Sequence, residues 1–263
     1  QADMFKKGLI KKPKPVAKIT EDVPFELPAG WQWCRISQLG HDWGQKAPDS
    51  KFTYIDVGSI NKELGLVSEP TVLEGNKAPS RSREQVRQGT VIYSTVRPYL
   101  LNIAVVTEDF EPEPIASTAF AIVHPFKGVS ASYLYRSFRS PTFLSFVEGC
   151  QTGIAYPAIN DKQFFSGLVP LPPTAEQHRI VAKVDELMAL CDALERQTEE
   201  SLKAHQTLVE SCLASLTNSQ SPEDLTQNWT RIEAHFDALF TTEESIEALR
   251  GAVYLLATQG KLV

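Results

Sequence analysis

Between residues 75 and 105 the chain sets Lys77, Arg81, Arg83, Arg87 and Arg97 against a single acid, Glu84, a local charge of +4. Fork-shaped guanidiniums and an ammonium at this density suit nucleic-acid phosphates, where binding follows the charges at the contact rather than the balance of the molecule. The plain alternative is a solvated basic loop. The net charge is −6, unevenly distributed: residues 1–20 carry +5, residues 21–173 carry −3 and residues 174–263 carry −8. The acidic balance therefore lies largely away from the basic cluster.

No motif with the spacing of a catalytic site accompanies this cluster. The sequence lacks a G-x-x-x-x-G-K-[ST] phosphate loop, G-x-G-x-x-G and G-x-S-x-G. A DNA adenine methyltransferase would need an Asn/Asp-Pro-Pro-aromatic motif for the flipped base. Here Pro172-Pro173 stands between Leu171 and Thr174. A metal-dependent nuclease needs clustered carboxylates and a lysine, and Asp49-Ser50-Lys51 is a weak match in a Pro-flanked loop. The four cysteines, Cys34, Cys150, Cys191 and Cys212, form no metal spacing. Cys191 and Cys212 fall in an apolar helical pattern, where a thiol serves as a small hydrophobe. The five histidines are scattered. Asn228-Trp229-Thr230 fits a glycosylation sequon within a helical pattern and reads as coincidence. A non-catalytic chain is expected.

Apolar residues at 42% and charged residues at 22% give the profile of a globular protein. No run approaches the ~20 apolar residues of a membrane helix, and the N-terminus lacks a signal-peptide core, so a cytoplasmic setting is expected.

Three zones position the cluster. Residues 1–24, with Lys11-Lys12-Pro13-Lys14-Pro15, read as an extended basic linker. Residues 25–173 mix short β-rich runs with Gly, Pro, Ser and Asn breaks. Strands are expected at 52–57, 90–94, 103–106 and 119–124, and a helix near 130–147. Pro-Leu-Pro-Pro at 170–173 closes this zone.

Residues 174–263 are helical. Thr174 and Gln177 match a capping box. A pattern free of Pro and Gly then runs to about residue 217, with 180, 184, 187, 191, 194, 198, 201, 205, 208 and 212 forming a coiled-coil seam that turns polar at Thr198, Ser201 and His205. About 42 residues at ~1.5 Å each make a rod of roughly 63 Å. Ser221-Pro222 starts a second helix, with Leu225, Trp229, Ile232, Phe236 and Leu239 at apolar spacing. Thr241-Thr242-Glu243-Glu244 starts a third, with Ile246, Leu249, Val253 and Leu256, stopped by Gly260. The expected fold class is α+β: a globular mixed α/β domain followed by a long antiparallel coiled-coil helical hairpin.

The stretch Leu171-Pro-Pro-Thr-Ala-Glu-Gln-His-Arg-Ile-Val-Ala-Lys-Val-Asp-Glu-Leu-Met-Ala-Leu-Cys-Asp-Ala-Leu-Glu195 strongly resembles the opening of the conserved helical region in specificity (S) subunits of type I restriction–modification systems. Leu255-Leu-Ala-Thr-Gln-Gly-Lys-Leu-Val263 resembles its end, and Phe25-Glu-Leu-Pro-Ala-Gly-Trp-Gln-Trp33 the usual start of a target-recognition domain. Ser94-Thr-Val-Arg-Pro-Tyr-Leu100 and Ala116-Ser-Thr-Ala-Phe120 are similar to segments within that domain. The family alternates two recognition domains with two helical regions. One of each is present here, so a fragment or half-size subunit is expected.

The resemblance implies that residues 25–173 read one half of a bipartite site on double-stranded DNA. Residues 174–263 would act as spacer, dimerisation and partner-docking region. The implied partners are modification subunits, which carry S-adenosylmethionine and methylate adenine, and a motor-nuclease restriction subunit. No cofactor is expected on this chain. The rod spans roughly two turns of B-DNA at ~34 Å per turn. The alternative is a coiled-coil interaction scaffold without DNA specificity. Self-association through the helices is a further expectation.

Three loops are the candidate DNA contacts. Lys77, Ser80, Arg81 and Arg83 precede a strand and suit phosphate or guanine edges. Arg97, Tyr99 and Asn102 follow it, and Asn can pair adenine in the major groove. Thr152, Gly153, Tyr156, Asn160 and Lys162 lie on loop 149–162, where glycine lets backbone approach closely. Arg97 could instead pair an internal carboxylate, the tyrosines could be core aromatics, and Ser117 and Thr118 could cap a turn.

Overall fold

The computed structural model describes residues 19, 23–153 and 156–262, so the basic linker expected over 1–24 lies almost entirely outside the described residues. The chain divides into two compact units, Gln1–Val184 and Asp185–Val263.

The first unit contains β1 (Gln32–Arg35), α1 (Ile36–Leu39), β2 (Gly40–His41), β3 (Phe52–Ile55), β4 (Ile60–Asn61), β5 (Leu66–Val67), β6 (Thr71–Leu73) and β7 (Ser82–Gln85). It continues through β8 (Val91–Ser94), β9 (Ile103–Val105), β10 (Pro114–Ser117), β11 (Phe120–Pro125), α2 (Ala131–Phe138), α3 (Pro141–Cys150), α4 (Asp161–Ser166) and β12 (Leu168–Leu171). The long helix α5 (Thr174–Thr217) begins in this unit and continues into the next.

A six-stranded sheet of order β2-β11-β8-β9-β5-β4 forms the centre, beside a four-stranded sheet of order β6-β3-β10-β7 and a β1–β12 pair. Successive side chains of a strand point to opposite faces, and the two faces of the six-stranded sheet feed different cores. Val91, Tyr93, Ile103, Ala121 and Val123 pack with Leu134, Phe138, Phe143, Val147 and Phe164 of the helices. Ile92, Ala104, Phe120 and Ile122 pack with Ile55, Val86 and Ala116 from the four-stranded-sheet side. Covering on both faces explains why β8, Val-Ile-Tyr-Ser, is buried throughout rather than alternating apolar and polar.

The helix expected near 130–147 is two helices. Ser130 caps α2 by accepting from Tyr133 N, and Ser140 caps α3 by accepting from Phe143 N. Pro141 follows at the first helical position, where its missing N–H is harmless, whereas inside one continuous helix it would break the ladder.

The capping box expected at Thr174 is not made. Thr174 Oγ1 donates to Gly128 O at 2.9 Å. The Gln177 amide, 1% exposed, accepts from Ser130 N at 2.8 Å and donates to Gly128 O at 3.1 Å and Pro172 O at 2.9 Å. The pair fastens the start of α5 to the start of α2, because buried backbone groups of the 128–130 loop need partners more than the solvated helix end does.

The second unit holds the rest of α5, α6 (Pro222–Glu233), the single turn α7 (Phe236–Leu239) and α8 (Glu243–Thr258). Its core is Val209, Leu213, Leu216, Ile232, Leu239, Ala252 and Leu256. Asn228 Nδ2 donates to Ser215 O and Ser219 Oγ, and the His205 ring meets Ala238 O at 3.1 Å, so α6 and α7 run back along α5. The sequon asparagine is thus engaged in packing. Helix α8 turns again, and Lys261 beyond it donates to Thr217 O and Ser219 O, at 3.0 Å each. The antiparallel hairpin therefore gains a third, returning segment.

Two details of the expected seam shift. Leu208 is 53% exposed while Val209 is 2% exposed, one residue away from the predicted register. A strict seven-residue repeat drifts about 20° per heptad on a straight helix, enough to change the inward residue near the end of α5. The third start is capped by Thr242 with Ser245 as its reciprocal partner, not by Thr241 with Glu244. Ile246 and Val253 accordingly face outward while Ser245, Ala252 and Leu256 are buried.

Candidate nucleic-acid interface

A run of backbone hydrogen bonds ties together three loops beyond the end of β8. Thr118 N donates to Arg81 O at 2.8 Å, and Thr95 N donates to Ala119 O at 2.8 Å. Ile159 N donates to Thr95 O at 3.0 Å and Arg97 N to Pro157 O at 2.8 Å. Thr152 and Ala158 exchange both of their backbone bonds, at 2.8 and 2.9 Å. Ser117 Oγ accepts from Ala119 N, the turn-capping role considered for it. Loops from sequence positions about 80, 97 and 158 are thus joined through the ends of β8 and β10.

Several candidates meet on this surface. Arg97 is half-buried, and its guanidinium lies 5.0 Å over the ring of Tyr156. Tyr156 is 71% exposed and Tyr99 40% exposed, so neither is a core aromatic. Arg81 and Ser80 are exposed, as is Thr152. Asn102 is half-buried at the foot of β9, its carbonyl accepting from Ser94 N at 3.0 Å. Gly153 has φ +92°, and a Cβ there would meet Tyr156 O at 2.9 Å. The turn itself requires the glycine, whatever approaches from outside.

Other candidates are placed differently. Lys77 ends a 3-10 turn over Gly75–Lys77 and is exposed. Arg83 lies on β7 with Nη1 donating to Ser82 O at 3.1 Å. Asn160 caps α4, its Oδ1 accepting from Gln163 N at 2.9 Å. Lys162, exposed in the first turn of α4, has an acidic neighbourhood. Burial and then Asp42 push the Asp161 carboxyl up, and burial raises Glu84, which also feels Asp161 and Asp42. Carboxylates there oppose phosphate contact, so the second half of loop 149–162 is less suited to DNA than the first.

The +4 cluster also divides. Arg87 precedes β8 and stacks 4.1 Å over Trp43, whereas Arg97 follows it, separated by at least the strand's roughly 13 Å at ~3.3 Å per residue. Trp43 also packs edge-on against His41 and His124, each at 4.7 Å. Burial, followed by His41 and Arg87, lowers the His124 pKa to about 4, keeping that ring neutral. The Asp49 tripeptide is no carboxylate cluster: Asp49 lies 3.9 Å from Lys46, which pairs with Glu113 at 2.6 Å. Among the described residues no group of three or more His, Cys, Asp or Glu side chains could hold a metal, and no helix is long and apolar enough to cross a membrane.

No protein-family model matches the chain. Over its full length it is 36% identical to the type I restriction enzyme EcoAI specificity subunit of Escherichia coli, and 35% identical to the EcoEI specificity subunit of the same species. Its homologues are type I restriction specificity subunits. The chain spans 46% of each of these two relatives. The HsdS subunit of Thermoanaerobacter tengcongensis has a similar structure, with TM-score 0.66 and 34% identity over 73% of this chain and 51% of that one. A chain from a structure addressing complex assembly and conformational transition of the type I R-M system gives TM-score 0.65 at 34% identity, covering 73% and 50%. The α+β class with a long coiled-coil helix is the fold of these specificity-subunit structures.

Leu100 has no hydrogen-bonding side chain to mark it in sequence, yet it is 41% exposed beside Tyr99. The turn that carries it has left-handed backbone at Arg97 (φ 48°) and Leu101 (φ 54°). Neither residue is Gly or Asn, so composition carries no signal for the turn.

Proposed function

We propose that this chain reads one half of a bipartite DNA site for a type I restriction–modification complex, without catalysis of its own. The observation that carries the reading is the backbone-linked surface bearing Arg81, Arg97, Tyr99, Thr152 and Tyr156, in a chain whose full length aligns with specificity subunits. Guanidiniums engage phosphates or guanine edges, and the backbone links fix their spacing. S-adenosylmethionine and adenine methylation belong to the modification subunits, and cleavage to the motor-nuclease subunit.

The helical unit supplies docking. Leu187, Leu190, Leu194, Leu202 and Leu208 of α5 are 48–56% exposed, an apolar run suited to a modification subunit or a second copy of the chain. The acidic charge of residues 174–263 disfavours phosphate there.

The test is an electrophoretic shift on randomised duplex DNA, with and without a modification subunit, followed by sequencing of the bound pool. A short motif is enriched, more strongly with the partner, and Arg81→Ala or Arg97→Ala weakens binding. A stable complex with the partner and no enriched motif would leave an interaction scaffold instead.

A further inference from the structure

We propose that the turn from Arg97 to Leu101 is a rigid wedge, with Leu100 entering between two base pairs of the half-site and Tyr99 bracing it. The proposal rests on the DNA-recognition reading and adds deformation of the duplex to it. Leu100 and Tyr99 are 41% and 40% exposed, in the turn that follows Arg97, whose guanidinium lies over the 71% exposed Tyr156. A leucine offers no hydrogen bond to a base edge. An apolar side chain held out at a DNA surface therefore suits a thymine methyl group or the space between unstacked bases.

The backbone favours the second. A wedge must not fold back when pressed against stacked bases, and this turn is tied at Arg97, Pro98 and Leu101. Arg97 and Leu101 both occupy the left-handed region, a conformation that persists only where surroundings impose it. Leu100 N donates to Arg97 O at 3.0 Å, and Leu101 N to Pro98 O at 3.1 Å. Pro98 is buried, and its carbonyl also accepts from the hydroxyl of fully buried Tyr93 at 3.4 Å. Arg97 N is tied to Pro157 O, and the Arg97 guanidinium rests over Tyr156. The arginine is thereby placed to hold the phosphate beside the opened step, so that the cation anchors the strand that the leucine parts.

The experiment places 2-aminopurine at successive steps of the enriched half-site, away from the methylated adenine, and follows its fluorescence as the full chain binds. Fluorescence rises at one step with the wild type and with Leu100→Met, and stays flat with Leu100→Ala. Leu100→Ala weakens binding to the intact site by about tenfold, the scale of one unstacked step, but by less than about twofold when that step already carries a mismatch. A flat wild-type signal, or equal weakening on intact and mismatched duplexes, overturns the wedge. In either case a retained effect of Arg97→Ala would leave recognition standing. Absence of any enriched half-site overturns the recognition reading itself and the wedge with it.

Discussion

The sheet unit and the helical unit bury apolar surface in different ways. In the first, β8, β9 and β11 send alternate residues into two cores, and Tyr93, Phe138, Phe143 and Phe164 pack ring against ring with centroids 4.9–6.0 Å apart. In the second, seven buried residues gather near the end of α5. Leu187 to Leu202, further back on the same helix, remain about half exposed. A sheet covered on both faces does not depend on the loops beyond β8 for its burial. A helix with an uncovered apolar run has burial still to gain, which is what the proposed docking role would supply.

The contrast is sharpest at Phe164, fully buried among the aromatic rings. Phe164→Ala lowers the unfolding free energy of the sheet unit by about 3–5 kcal/mol, measured by denaturant titration. A loss below ~1 kcal/mol would mean that the aromatic core relaxes into the space, contradicting a close-packed sheet unit.

A smaller effect comes from pH. His124 sits half-buried, its Nδ1 3.0 Å from Thr90 Oγ1, with a pKa of about 4 against the usual 6.5. The folded chain therefore holds this ring neutral where the unfolded chain would protonate it. Its contribution to stability is intact above pH 6.5 and falls as pH drops from 6.5 towards about 4. After allowance for solvent at this half-buried site, the loss is on the order of 1 kcal/mol. Denaturation midpoints of wild type and His124→Gln, compared across that window, should diverge. Parallel curves would place the pH sensitivity elsewhere.

The smallest expected change in stability is at Leu194, 55% exposed on α5. Leu194→Ser shifts the unfolding free energy by less than about 0.5 kcal/mol, yet weakens association with a modification subunit or a second copy, read by analytical ultracentrifugation. A large loss of stability in the isolated chain would show the leucine to be covered within it, erasing the contrast between the units.

Much was legible from residue types alone. The long helix ends at residue 217 as its uninterrupted pattern implies, and four strands lie within a residue or two of the expected runs. Local rules suffice there, because Pro, Gly and cap residues act on their immediate neighbours. Less legible was how local signals are spent. Gln177 carries a capping sequence but serves the 128–130 loop, and Arg87 and Arg97 look like one patch in sequence but lie beyond opposite ends of β8.

By itself, the sequence determined the extent of the long helix, the absence of familiar catalytic spacing and the resemblance to specificity subunits, all properties of residue order. Only the tertiary structure decided that Arg97 stacks on Tyr156, that the Arg81 backbone is tied to Thr118, and that the turn after β8 is left-handed at Arg97, whose N–H bonds Pro157 O. These depend on hydrogen bonds between segments tens of residues apart. Backbone groups seek partners irrespective of the side chains they carry, so such pairings leave no mark in composition or periodicity.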